Sequence, residues 1–201
     1  MPAEIMLSFL KTCTPEGRMG FRVATQCAPV LKGVKISNLI KVRPGEGREI
    51  GRRLEDSGII CTLLYRNGEM EVLFLYRYPQ LEQHLRQPVV RRFLRKCGYE
   101  DWDVVSVLGR LRRRYRQYAV CGREFPHELG VLLEYPVEDV EGFIRNQGEN
   151  CLLSRYWKVY GNRQQAERTF RLYDAAKEQA LWEIVNGLPL YKVAVDVGGN
   201  L

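Results

Sequence analysis

The chain has 201 residues, of which 45% are hydrophobic and 27% charged, and its formal net charge is +7. This length fits one domain with a sizeable core, and the ordinary charged fraction excludes a disordered chain. No stretch approaches the roughly 20 apolar residues of a membrane span, and the N-terminal residues lack the basic-then-apolar order of a signal peptide.

The N-terminal part of the chain predicts two helices, a strand and a third helix. Apolar residues at helical spacing predict helices over residues 4–10 and 21–31, the second bent or ended by Pro29. Residues 36–42 predict a strand, and residues 49–57 predict a short helix.

A β-hairpin at Asn67-Gly68 is the clearest local signal. The flanking segments 60–66 and 69–77 are largely apolar, and an Asn-Gly pair supplies the two positive-φ positions of a type I′ turn. Because both segments are apolar on both faces, we expect the hairpin to lie at the centre of a sheet that helices cover.

The second half of the chain is mostly helical. Capping residues and apolar spacing predict four helices, from Pro88 to Gly98, over residues 103–119, from Pro136 to about Gly148, and from Asn162 to Asn186. Alternating residues predict strands over 155–160 and 190–197.

The order of these elements predicts one α+β domain over residues 1–201, with a family-like core at about 20–185. It contains a small mixed or antiparallel sheet built on the central Asn-Gly hairpin and covered by several helices. We expect the N-terminal helix and the tail 188–201 to be peripheral.

Most of the positive charge lies in one segment. Between His84 and Arg123 there are 11 Lys and Arg residues against 3 acids, which leaves the rest of the chain close to neutral. Guanidinium groups bind phosphate and carboxylate in planar, bidentate pairs. The segment therefore predicts an anion-binding surface that includes Arg112, Arg113 and Arg116, and the alternative is a basic helix that only water covers.

His127 and Glu128 follow Pro126, which favours the first turn of a helix. A neutral imidazole beside a carboxylate could act as a general base or a metal ligand. Alternatively, Glu128 only favours the helix start and His127 caps it. The motif H-E-x-x-H is absent because position 131 is Val, and the two histidines of the chain exclude a His-rich metal site.

Cys27 lies near the end of a predicted helix, with Lys32 and Lys35 nearby. Neighbouring ammonium groups could make its thiol a nucleophile, and the alternative is a small buried apolar residue. All six cysteines are scattered without a C-x-x-C pair, and we expect reduced thiols and a cytoplasmic protein.

One predicted strand carries aromatic and basic side chains in alternation. Tyr156, Lys158 and Tyr160 would share a face that could line a pocket for an anionic aromatic ligand. The alternative is that Trp157 and Val159 anchor the strand in the core while the other three are partly exposed.

Three blocks resemble a known family: Phe125–Gly130, Tyr135–Ile144 and Tyr156–Gly161. They look like the signature of an uncharacterised bacterial family, domain of unknown function family 3793. The resemblance also takes in Cys27-Ala-Pro, Asn38-Leu39 and residues 170–175, and it departs at Glu134, where Gly is expected, and at Ala176, where Cys is expected. It implies a bacterial, cytosolic protein and implies no particular activity.

The sequence favours a binding or regulatory module that recognises an anionic ligand or acidic partner, such as a nucleotide, a cofactor phosphate or a small redox protein. The alternative is a small enzyme that uses His127 and Glu128 as an acid–base pair, with Cys27 as a thiol nucleophile. A nucleic-acid partner is conceivable, but no RNP pattern, zinc finger or P-loop supports it. The residues identify no cofactor and leave the choice between module and enzyme open.

Overall fold

The computed structural model describes residues 1–195, and its fold is α+β, as predicted. The described strands are β1 Ser37–Val42, β2 Ile60–Arg66, β3 Glu71–Tyr76, β4 Leu153–Ser154 and β5 Lys158–Val159. The helices of the same range are α1 Ala3–Thr12, α2 Pro15–Leu31, α3 Glu46–Arg53, α4 Tyr78–Arg86, α5 Pro88–Lys96, α6 Val104–Cys121, α7 Glu128–Leu132, α8 Val137–Arg145, α9 Arg163–Val185 and α10 Leu190–Val193.

The chain divides into two compact units. Among the described residues, the sheet unit contains Met1–Arg77 and residues 171–195, and the helical unit contains Tyr78–Phe170. Within residues 1–195, no helix is long and apolar enough to cross a membrane. The single domain expected from the sequence stays a prediction.

The sheet unit is built on a three-stranded antiparallel sheet with the order β1-β3-β2. All six residues of β3 are buried, which fits the central position of this strand. The prediction of a central hairpin is therefore correct for β3 and wrong for β2, which lies at an edge and is mostly half-buried.

The loop between β2 and β3 is not the expected type I′ turn. Neither Asn67 nor Gly68 is among the positive-φ residues of the described chain. The Asn67 side-chain oxygen instead accepts hydrogen bonds from the backbone N–H groups of Glu69 and Met70, at 2.9 and 2.8 Å. An asparagine side chain that replaces a backbone acceptor in this way stabilises a turn without positive φ.

Helices α2, α3, the C-terminal part of α9 and α10 form the core of the sheet unit together with the strands β1 and β3. This core includes Phe21, Val23, Leu31, Ile40, Leu75, Ile184 and Val193. The predicted strand over 190–197 is wrong for residues 190–193, because Pro189 caps a short helix there and places Leu190 and Val193 in the core. Asp196 and Val197 lie outside the described residues.

One carboxylate joins the sheet to α3. Glu71, at the start of β3, is buried and accepts backbone N–H groups of Gly45 and Gly47 at 3.0 and 2.9 Å. The Arg66 guanidinium at the end of β2 also pairs with Glu71. These contacts satisfy a buried charge, which would otherwise be costly.

The helical unit contains α4 to α8, the short β4–β5 hairpin and the first residues of α9. Two helices begin at capping side chains, since Asp103 accepts the N–H of Ser106 at 2.9 Å before α6, and Asn162, the predicted cap, accepts that of Gln165 at 3.0 Å before α9. The strand predicted over 155–160 is limited to β5, which pairs antiparallel with β4.

Candidate anion-binding surface

Helix α6 presents three exposed arginines. Its apolar residues Val104, Leu108, Leu111 and Tyr115 recur at helical spacing and are buried, so Arg112, Arg113 and Arg116 face away from them. None of the three forms an ion pair with a residue in the range 1–195. The helix itself contains no acidic residue.

Arg114 differs from its neighbours because it binds a buried carboxylate. Its Nε donates to Oε1 of Glu128, and its Nη2 lies 3.4 Å from Oε2. The hydroxyl of Tyr99 also donates to Oε1, at 3.2 Å. Burial raises the pKa of Tyr99 far above its ordinary value, and the Glu128 charge adds to the effect, so Tyr99 stays a protonated donor.

Glu128 is therefore engaged in a structural ion pair. Its exposure is 1%, and removing Arg114 would leave a buried carboxylate with the Tyr99 hydroxyl but without a countercharge. The sequence did not single out Arg114 or Tyr99 as partners of Glu128, because they come from α6 and from the loop before it.

His127 lies in an aromatic cluster at the N-cap position of α7. Its ring centroid is 5.5 Å from that of Phe125 and 5.6 Å from that of Phe143. Its side chain makes no capping hydrogen bond, and in the described chain no hydrogen bond joins it to Glu128. The predicted acid–base pair thus consists of two side chains that are neighbours in sequence and contact different partners.

Cys27 lies in the core of the sheet unit with an exposure of 0%. Burial raises its pKa to about 12, although a hydrogen bond with Asn38 and the charge of Lys35 act in the opposite direction. The Lys35 Nζ donates to the Asn38 side-chain oxygen at 3.1 Å. A protonated, inaccessible thiol fits core packing better than nucleophilic attack.

The alternation predicted around β5 is present in the structure. Trp157 and Val159 are buried, while Tyr156, Lys158 and Tyr160 are half-buried. Each of these three packs within the helical unit: the Tyr156 ring lies 5.4 Å from that of Phe170, the Lys158 Nζ donates to the Gly148 carbonyl at 2.6 Å, and Tyr160 packs over Gly142. Their role as ligand-binding residues stays a prediction.

Two clefts contain arginines, and each also places carboxylates beside them, so neither is a clear anion-binding site. A cleft of about 470 Å³ in the sheet unit includes Arg53, but this guanidinium already pairs with Glu16 and Glu49. A cavity of about 130 Å³ in the helical unit includes Arg110 and Arg113, together with the carboxylates Glu100 and Asp101. Within residues 1–195, no group of three or more His, Cys, Asp or Glu residues could hold a metal ion.

Comparison with known protein families finds a match. The family model described as Protein of unknown function (DUF3793) matches residues 23–194. The chain belongs to this family. No curated protein and no solved structure matches it. All of the candidate site residues lie within the DUF3793 match, whereas α1 precedes it.

The three blocks that carried the DUF3793 resemblance contact one another in the helical unit. Tyr135 stacks on Trp157 with ring centroids 5.2 Å apart. Asp139, which the sequence did not single out, accepts hydrogen bonds from the indole N–H of Trp157 and the backbone N–H of Tyr160, both at 2.7 Å. The ring of His127 in the first block lies 5.6 Å from that of Phe143 in the second. The blocks therefore have a clear structural role, and the exposed arginines of α6 lie outside all three.

Proposed function

We propose that the protein is a binding or regulatory module of the bacterial cytoplasm that recognises an anionic ligand or acidic partner through α6. One observation carries this proposal: Arg112, Arg113 and Arg116 are exposed on a helix without acids and form no ion pair with a described residue. Guanidinium groups that are not already neutralised can form charge-assisted hydrogen bonds to carboxylate or phosphate.

The enzyme alternative has less support from the geometry. A general base at Glu128 would have to give up its contacts with Arg114 and Tyr99, and a nucleophile at Cys27 would have to leave the core. The cytoplasmic location is supported by six free thiols, of which Cys121 is exposed, since exposed thiols suit a reducing compartment.

The proposal can be tested with polyglutamate and tripolyphosphate as anionic probes. We expect at least one probe to bind, and its affinity to fall steeply between about 0.1 M and 1 M salt, where the screening length shrinks from about 10 to 3 Å. The triple variant R112Q/R113Q/R116Q should weaken binding about tenfold or more, which corresponds to about 1.4 kcal/mol.

A matched control keeps the overall charge change equal. The variant R163Q/R168Q/R171Q removes three exposed arginines from α9, a helix that also contains acids such as Glu167. We expect this control to bind the probes like the wild type. Equal losses in both triple variants would mean that only net charge matters, and the proposed surface would be wrong.

A further inference from the structure

We infer that the partner of α6 is an acidic amphipathic helix of another protein, which packs lengthwise along one exposed stripe. This inference rests on the proposed function and specifies its partner. The stripe consists of Val105, Gly109, Arg112, Arg116 and Val120. At about 100° per residue, these five positions fall within an arc of about 80° and span about 22 Å. The centre of this arc is about 120° around the helix from the centre of its buried face.

The ends of the stripe are apolar and unusually open. Val105 is 73% exposed and Val120 is 62% exposed, and each flanks the arginines from one side. A single exposed valine is ordinary. Here two exposed valines lie at the two ends of a stripe that has two guanidinium groups between them. An acidic helix with apolar residues at both ends of one face can match this order of apolar, basic and apolar side chains.

The middle of the stripe allows close approach. A Cβ atom added at Gly109 would meet no atom of residues 1–195 within 4 Å, so the backbone of α6 is accessible there within the described chain. Helix pairs pack at interaxial distances of about 8–10 Å, and small residues permit the shorter end of that range. A partner side chain can therefore occupy the space above Gly109, between Val105 and Arg112.

Charge complementarity identifies the facing residues of the partner. Arg112 and Arg116 are one turn apart, at about 6 Å along the axis, which is the spacing of two carboxylates at positions i and i+4 of a facing helix. Because α6 contains no acidic residue, no carboxylate of this helix competes for these guanidinium groups. Apolar residues of the partner would then cover Val105 and Val120.

A nucleic-acid partner fits the stripe less well. Binding of single strands relies on aromatic faces on which bases stack. The aromatic residues of α6 lie off the stripe: Tyr115 is buried, and the ring of Tyr118 is packed edge-on against Tyr115 and Phe125. The exposed valines have no counterpart in phosphate recognition, whereas an apolar helix face would bury them.

The test uses a labelled helical peptide of about 20 residues, long enough to be helical in part by itself. It carries two Glu residues at i and i+4, with Leu residues at both ends of the same face. The same peptide with Gln for Glu and a single-stranded DNA of similar length serve as comparison probes. Affinities are measured by fluorescence anisotropy, and circular dichroism verifies that each variant of the protein is folded.

We expect the Glu peptide to bind more tightly than the Gln peptide. V105S/V120S and G109Q should each weaken its binding about threefold or more, because they remove apolar contact or block close approach, and R112Q/R116Q should weaken it about tenfold or more. The control V89S changes a valine that is 49% exposed on α5, away from the stripe, and should leave the affinity unchanged.

The possible outcomes distinguish a failure of helix docking from a failure of the proposed function. If R112Q/R116Q abolishes polyglutamate binding while V105S/V120S and G109Q leave peptide binding unchanged, anion recognition stands and helix docking is wrong. Helix docking is also wrong if the protein binds the Gln peptide as tightly as the Glu peptide. The same holds if it binds the DNA more tightly than the Glu peptide and V105S/V120S does not change its affinity for the peptide. If the α6 arginine variants affect none of the anionic probes, the proposed function itself is wrong.

Discussion

Asp139 connects two segments of the helical unit through a single carboxylate. Its Oδ2 accepts the indole N–H of Trp157, and its Oδ1 accepts the backbone N–H groups of Tyr160 and Gly161, each at 2.7 Å. The side chain is buried. Three donors would lose their acceptor together if the carboxylate were removed, so this residue stabilises the packing of α8 against the residues on both sides of β5.

We expect D139N to lower the free energy of unfolding by about 1–3 kcal/mol, because an amide group cannot accept all three hydrogen bonds. Urea denaturation measures the change. The control E141Q lies on the same helix, where Glu141 forms an exposed ion pair with Lys96, and should cost about 0–1 kcal/mol. Equal effects of the two variants would contradict the role assigned to Asp139.

Two cysteines should differ sharply in their reaction with iodoacetamide. Cys121 is exposed, whereas Cys27 is buried and its pKa is raised to about 12, so native protein should be labelled at Cys121 and not at Cys27. Peptide mass spectrometry locates the label, and both residues should react after unfolding in urea. Rapid labelling of Cys27 in the native protein would revive its role as a nucleophile.

At the scale of elements, two helix glycines have opposite surroundings. A Cβ atom at Gly142 of α8 would lie 2.6 Å from Cγ of Tyr160, whereas one at Gly109 of α6 would contact no described residue. Gly142 therefore allows the chain after β5 to approach α8 closely. Among residues 1–195, nothing lies close enough to Gly109 for an alanine there to disturb it.

We expect G142A to destabilise the protein by about 1–3 kcal/mol, because the added methyl group forces Tyr160 to move. G109A should stabilise it by about 0.5–1 kcal/mol, because alanine favours the helix without meeting a neighbour. Thermal unfolding of the two variants measures both changes. A stabilised G142A would show that α8 and Tyr160 are not tightly packed.

The sequence predicted best those elements whose start depends on residues close to one another in the chain. Asp103 and Asn162 cap α6 and α9 through side-chain contacts with residues only three positions away. The extent of β5 and the edge position of β2 depend instead on which strands pair, and pairing partners are distant in sequence. Residues 190–193 carry two competing local signals, because their alternation favours a strand whereas the fixed φ of Pro189 favours a helix start, and the helix is what forms.

The candidate surface could be predicted from the sequence because it depends on helical spacing alone, which assigns Arg112, Arg113 and Arg116 to one side of α6. The contacts of Glu128 could not, since they require Arg114 and Tyr99 to meet it in three dimensions. The same holds for Asp139, whose partners lie 18 to 22 positions away.

At the scale of the whole molecule, two buried groups, His84 and Glu71, contribute to the dependence of stability on pH. Burial lowers the pKa of His84 below 6.5, and its hydrogen bond with the Val131 carbonyl offsets this only in part. Burial acts to raise the pKa of Glu71, but hydrogen bonds from Gly45, Gly47 and Arg66 outweigh it, so the pKa lies below 4.5.

We expect the free energy of unfolding to fall as pH decreases from 6.5, because the unfolded chain then binds a proton at position 84 that the native protein resists. A second decrease should begin below pH 4.5, where protonation of Glu71 becomes easier in the unfolded chain. Urea titrations across this range measure both. H84Q should flatten the first decrease, and an unchanged slope in this variant would contradict the assignment.

The buried carboxylate of Glu71 also limits how the sheet can align. In the observed register, Glu71 lies opposite Val42 on one side and Arg66 on the other. A slip by one residue would turn its side chain to the opposite face of the sheet, away from the N–H groups of Gly45 and Gly47. Misaligned sheets would then contain a buried, unpaired charge, so Glu71 selects the correct register and disfavours wrong ones during folding.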